Sequence, residues 1–135
     1  MQKDNSIYKL AWIYIKDKKI LSTLTKGNDA YYIPGGKKEN NETDEEALIR
    51  EVKEELSIDL IPETIEFFGE FEAQAHSKPE GVKVKMRCFT ADYQGKIKAD
   101  NEIEKIVWLT CRDKDKCSPV DRIIFDYLKC ENVIE

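Results

Sequence analysis

Between Pro34-Gly35-Gly36 and Pro62 the chain has room for one long regular element, and that element must hide one of its sides. Thr43 and Glu46 have the S/T-x-x-E spacing of a capping box. Leu48, Ile49, Val52 and Leu56 recur at helical spacing, so the pattern predicts a helix over Asp44–Leu56. The Pro-Gly-Gly breaker is expected to end regular structure before it, and Pro62 limits its continuation. A helix with a single apolar stripe is stable only when another layer covers that stripe.

The other segments supply that layer. Residues 7–15, Lys19–Thr25 and 31–33 are rich in β-branched and aromatic types and are expected as strands, as are 65–75, 82–93 and Ile103–Leu109. Residues 76–81, with Pro79 and Gly81, are expected as a hairpin loop. A last helix is expected over Pro119–Cys130, capped by Ser118, with Ile123, Ile124, Tyr127 and Leu128 as its buried stripe. No repeat or linker divides the chain, so residues 1–135 are expected to form one α/β domain, a mixed sheet covered on both faces.

Charge and cysteine usage narrow the function. The net charge of -5 argues against binding a nucleic acid polymer, which needs a basic face to displace counterions. An acidic protein can still hold a polyphosphate when divalent cations bridge the two. No apolar run approaches the roughly 18 residues of a membrane span, and residues 7–15 are broken by Lys9, so no membrane partner and a cytoplasmic location are expected. Cys88, Cys111, Cys117 and Cys130 form no C-x-x-C pair and His76 is the only histidine. Buried or partly buried free thiols are expected rather than a zinc site or a Ser-His or Cys-His nucleophile.

The predicted helix carries more acid than a helix needs. Glu51 lies three residues before Glu54 and four before Glu55, so the three carboxylates share roughly 100° of arc. Like charges this close raise one another's pKa, a cost that a hard cation removes. Arg50, four residues after Glu46 and four before Glu54, is placed to orient a carboxylate. Gly35 and Gly36 offer bare backbone to an ion or phosphate. Three acids alone would more often be a solvated helix face.

The longer pattern is more specific. Residues 36–58 resemble the Nudix box, G-x5-E-x7-R-E-U-x-E-E-x-G-U with U a bulky aliphatic, through Gly36, Glu42, Arg50, Glu51, Val52, Glu54, Glu55 and Ile58. Eight such matches arise by composition on the order of once in a million chains. Ser57 stands where the family has its second glycine, the left-handed exit from the helix. The resemblance implies the Nudix fold, an α/β/α sandwich around a mixed sheet. It implies a hydrolase cleaving the pyrophosphate linkage of a small nucleotide, with magnesium, or manganese, held by Glu51, Glu54, Glu55 and the Gly36 carbonyl, and by Glu102 and Glu104 as further candidates. It makes Arg50 the residue that orients the acids and Lys37 a phosphate contact. The general base stays open among Glu54, Glu55, Glu102 and Glu104.

For substrate, the resemblance argues by elimination. ADP-ribose families often carry a proline about fifteen residues past the box and diadenosine polyphosphate families a tyrosine, whereas this chain has Ala73-Gln74-Ala75-His76. The coenzyme A signature is also missing. A (deoxy)nucleoside triphosphate, cleaved to monophosphate and pyrophosphate, is therefore expected. The alternatives are a nucleoside diphosphate sugar such as ADP-ribose, and a non-catalytic Nudix-fold nucleotide-binding module. Trp12, Tyr8, Tyr14 and Phe68 are candidates to stack on a base, though such residues are more often core. The chain is expected to be a monomer or a homodimer.

Overall fold

Alternation along the first strand decides how the layers stack. Leu10, Ala11 and Trp12 are all buried, and a strand buried on both sides needs a cover on each. The computed structural model describes residues 6–76 and 78–135, so Ser77 of the expected 76–81 loop lies outside the described residues. The strands are β1 (Ile7–Trp12), β2 (Ile15–Lys16), β3 (Lys19–Thr25), β4 (Tyr31–Tyr32) and β5 (Gly35–Gly36), followed by helix α1 (Asp44–Leu56). Then come β6 (Asp59–Leu60), β7 (Glu66–Gln74), β8 (Lys83–Thr90), β9 (Tyr93–Gln94), β10 (Ile103–Leu109) and helix α2 (Pro119–Cys130).

The first sheet has the order β5-β1-β8-β7 and is mixed: β1 runs parallel to β8, with Ile7 opposite Val84 and Trp12 opposite Phe89, and the other pairs are antiparallel. The second has β10, β3 and β2 in order, with β4 also on β3, and β6 pairs with β9. Leu10, Trp12, Leu21 and Phe89 pack with Leu48, Val52 and Leu56 of α1. Ala11, Ile20, Met86 and Cys88 pack with Val120, Ile124, Phe125 and Leu128 of α2. The expected α/β/α layering is therefore present. No helix among the described residues is long and apolar enough to cross a membrane.

Both helices have the expected bounds, because their ends are set locally. Thr43 and Glu46 form the reciprocal capping box, and Pro119 opens α2 at its first turn. The strands differ where they change sheets. Residues 7–15 form β1 and β2 with a break between, because β1 belongs to the first sheet and β2 to the second. Residues 82–93 divide for the same reason, β8 ending at Thr90 before β9 joins β6. Gly35 and Gly36 do not end regular structure but form β5 on β1. Gly35 makes this possible at φ 147°, where a Cβ would run into the Leu10 carbonyl. Ile123 and Tyr127 are exposed and not part of the buried stripe. Phe125 takes the inner face, and Tyr127 lies edge-on to Phe68 and Phe71 of β7. Of the thiols, Cys88 and Cys117 are buried, Cys111 is half-buried, and Cys130 is exposed at the end of α2.

Candidate active site at the glycine pair

The apolar stripe of α1 fixes where its acids point. With Leu48, Val52 and Leu56 seated on β1 and β8, the neighbouring positions Glu51 and Glu55 face β5. Glu55 is 9% exposed, and one carboxyl oxygen accepts a 2.9 Å hydrogen bond from the Gly35 N–H. Glu51 lies over Gly36, where an added Cβ would come within 2.5 Å of its carboxyl carbon. Any side chain at Gly36 would displace that acid. Glu54 sits at the rim, half exposed.

Burial pushes the Glu55 carboxyl up to about 8, with the charges of Glu51, Glu102 and Glu54 adding to the rise and the Gly35 N–H opposing it. Burial likewise raises Glu51; the Arg50 guanidinium opposes this, and Glu54 and Glu102 reinforce it. Glu102, in the turn just before β10, is thus within electrostatic reach of the helix acids. Glu104 is exposed on β10, at the register shift between Ile103 and Lys105.

Arg50 is the clamp, reaching Glu51 and Glu54 of the helix and Glu42 before it, but not Glu46. It makes a two-pronged pair with Glu42, at 2.7 and 2.9 Å, and a 2.9 Å bond to Glu51. It donates at 3.1 Å to the Lys37 carbonyl and lies 3.6 Å from Glu54. Glu46 instead caps the helix by accepting from the Thr43 N–H. The Arg50 pair holds the Glu42 carboxyl down at about 2. Arg50 therefore joins the loop before the helix to the first acid on it.

The donor set fits a hard divalent cation. Half-buried and buried carboxylates that repel one another, beside a glycine backbone, are the oxygen ligands magnesium takes. Among the described residues, no three His, Cys, Asp or Glu side chains stand close enough together, as placed, to hold a metal ion. Glu51, Glu54 and Glu55 with the Gly36 carbonyl are the residues that would hold the ion.

A cleft of about 190 Å³ opens beside Glu55, walled by Lys9, Tyr32, Gly35, Gly36 and Met86 among others. A smaller cavity of about 70 Å³ shares Lys9, Tyr32 and Met86 with it and includes Lys37, His76 and Ser118. Lys37 thus lines the smaller cavity, next to the cleft that the glycine pair borders. The four expected stacking aromatics do not line it. Trp12 is fully buried, stacked on Tyr14 at 5.0 Å, and donates from Nε1 to the Ala91 carbonyl. Phe68 packs on Tyr127, and Tyr8 lies under the Lys85 ammonium. Tyr32 is the aromatic of the cleft, and nothing in its sequence spacing marks it.

Asp121 was also invisible to sequence patterns. It is fully enclosed on α2, and its Oδ2 accepts a 2.9 Å hydrogen bond from the Ile33 N–H. Burial raises its carboxyl to about 7, against the lowering effects of that bond and of the Lys9 charge. Ser57 does leave α1 left-handed, at φ 60°, and its Oγ donates to Asp100 at 2.8 Å.

Comparison with known proteins adds an independent line. A family model described as NUDIX domain matches residues 10–126. The chain is 30% identical over 121 residues to the ADP-ribose pyrophosphatase of Methanocaldococcus jannaschii, covering 87% of this chain and 70% of that protein. Among solved structures, the MutT protein of Methanosarcina mazei Go1 superposes with a TM-score of 0.76 at 19% identity, over 98% of this chain and 99% of that one. The E. coli dihydroneopterin triphosphate pyrophosphohydrolase gives 0.68 at 21% identity, over 89% and 92%. At these identities the two structures speak to the fold.

Proposed function

The chain belongs to the Nudix family and is a pyrophosphohydrolase, and from that premise we propose that it cleaves (deoxy)nucleoside triphosphates to the monophosphate and pyrophosphate, using magnesium or manganese. One observation carries this reading: a buried carboxylate, Glu55, is held at a glycine pair among three further acids that raise its pKa. A module that only bound nucleotides would gain nothing from that repulsion.

A divalent cation bound there supplies Lewis acidity, activating water and neutralising charge on the leaving pyrophosphate. Glu51, Glu54, Glu55 and the Gly36 carbonyl would hold the ion, with Glu102 within electrostatic reach. Arg50 fixes Glu51 through one arm and the Glu42 loop through the other, so the first acid is oriented before substrate arrives. Gly36 lets the backbone approach the phosphates, and Lys37 meets one of their oxygens. The proton of the attacking water passes to Glu54, Glu55 or Glu102.

The missing proline and tyrosine past the box favour a triphosphate. The second reading, a nucleoside diphosphate sugar, rests on the relative named an ADP-ribose pyrophosphatase. Comparing kcat/KM with magnesium for deoxynucleoside triphosphates, ADP-ribose, and UDP- and GDP-sugars decides between them. A diphosphate sugar ahead by more than about tenfold, roughly 1.4 kcal/mol of transition-state binding, replaces the first reading with the second. No turnover of any of them overturns both.

A further inference from the structure

The last turn of a helix leaves its final four carbonyls without partners inside the helix. In α1 the Lys53 carbonyl accepts from the Ser57 N–H at 3.0 Å. The other three are taken by the segment that leads into β10. The Leu56 carbonyl accepts from the Lys98 N–H at 2.9 Å, and the Glu55 carbonyl from the Asp100 N–H at 3.0 Å. The Glu54 carbonyl accepts at 2.7 Å from the side-chain amide of Asn101. Lys98 and Asp100 donate from the backbone, so almost any residue could stand there. The third bond depends on the asparagine. It also ends on the backbone of Glu54, one of the three acids of the candidate ion site.

Asn101 turns the chain as well. It stands at φ 51°, a left-handed conformation that asparagine tolerates better than most residues. The Ile103 N–H closes the turn on the Asp100 carbonyl at 3.0 Å. On the far side the Lys26 N–H, just past β3, donates to the Glu102 carbonyl at 2.8 Å. Glu102 is thus pinned between α1 and the end of β3, and its charge reaches Glu51 and Glu55. For the fold alone this placement is unfavourable. The C-terminal end of a helix prefers cations, yet a fourth acid is brought to the three already there. Asn101 is exposed, so water could take the Glu54 carbonyl in its place and the helix does not need the amide to form.

We propose that Asn101 is a positioning residue, whose amide ties the turn before β10 to the Glu54 carbonyl so that Glu102 joins Glu51, Glu54 and Glu55 around the divalent cation. This rests on the reading above that those three acids hold the ion. It gives the turn a function beyond closing the helix: the hydrogen bond that caps α1 also sets the one acid of the site that α1 does not carry.

Manganese ions alone test this, titrated by calorimetry into the whole metal-free chain without nucleotide. Glu102→Gln should lower Mn2+ affinity about tenfold, as loss of a group near the ion commonly does. Asn101→Gly keeps the left-handed backbone and removes only the amide. It should lower the affinity about fivefold when Glu102 is present, and less than about twofold in the Glu102→Gln background, where no carboxylate remains to be positioned. Equal losses in the two backgrounds, or none in either, overturn the role of Asn101. Unchanged affinity in Glu102→Gln overturns that of Glu102 and the inference with it. A wild type that binds no Mn2+ defeats the metal reading and this inference together, whereas binding without the coupling between Asn101 and Glu102 defeats this inference alone. Coupled binding by a protein that hydrolyses no nucleotide upholds the inference and defeats the catalytic reading instead.

Discussion

Two buried carboxyls grip one short stretch of backbone from opposite layers. Glu55 of α1 takes the Gly35 N–H and Asp121 of α2 takes the Ile33 N–H, each at 2.9 Å, on either side of Pro34, which has no N–H to give. Their surroundings differ in sign. Glu55 sits among Glu51, Glu102 and Glu54, whereas the charge acting on Asp121 is that of Lys9. Both have raised pKa values because burial dominates, but only Glu55 gains from a nearby cation it does not already have. One is built to receive charge, and the other is built to remain enclosed.

The largest effect expected from this contrast is on turnover. Glu54→Gln or Glu55→Gln should lower kcat by at least ~10²-fold while the fold persists, since each removes charge from the cluster that holds the metal. Wild-type kcat in either variant at saturating magnesium would take that residue out of the mechanism.

Next comes stability against pH in metal-free protein. An acid whose pKa is higher folded than unfolded keeps its proton in the native state after the unfolded chain has lost it, so stability falls as pH rises across the interval. For Asp121 the interval runs from 3.8 to about 7, and for Glu55 from 4.5 to about 8. Each should cost about 4 kcal/mol by its upper end. Asp121→Asn should flatten the lower part of the profile, measured by urea unfolding, and Glu55→Gln the upper part. A wild-type profile flat from pH 4 to 8 would contradict both assignments.

Magnesium should then separate the two. By binding the native state it should stabilise the protein by about 2–3 kcal/mol at a hundredfold excess over Kd and cancel the Glu55 slope, leaving that of Asp121. In the Glu51, Glu54, Glu55 triple glutamine variant the gain should vanish; an undiminished gain would place the ion elsewhere.

The smallest effect is expected at Ser57. Glycine there relieves a left-handed residue worth about 1 kcal/mol but loses the exposed bond to Asp100, so Ser57→Gly should shift Tm by a few degrees at most and leave kcat unaltered. A large fall in kcat would show that the helix exit touches substrate.

What could be read in advance was what is encoded within a few residues. The capping box, the apolar stripe and Pro119 set both helices to their observed ends, and the acid spacing put Glu51 and Glu55 on the face that meets β5. Contacts between distant segments left no such mark. The Gly35–Gly36 strand exists because Leu10 and Ala11 lie opposite it, and Tyr32 borders the cleft because β4 pairs with β3. Asp121 looked like an ordinary first-turn acid, favourable to any helix dipole. Only the proximity of Ile33 shows that it is a buried hydrogen-bond acceptor.

Synthesis on the ribosome delivers these parts in an awkward order. Helix α1 and its acids emerge before β8 exists to hold β1 in parallel register, and the partner of the Ile33 N–H comes later still, on α2. Such non-local pairing forms slowly, and until it does the apolar stripe of α1 is open to wrong partners and to chaperones. A nascent chain halted just past Leu56 would carry the whole acid motif, yet only β1 and β5, without β8, on which to dock it.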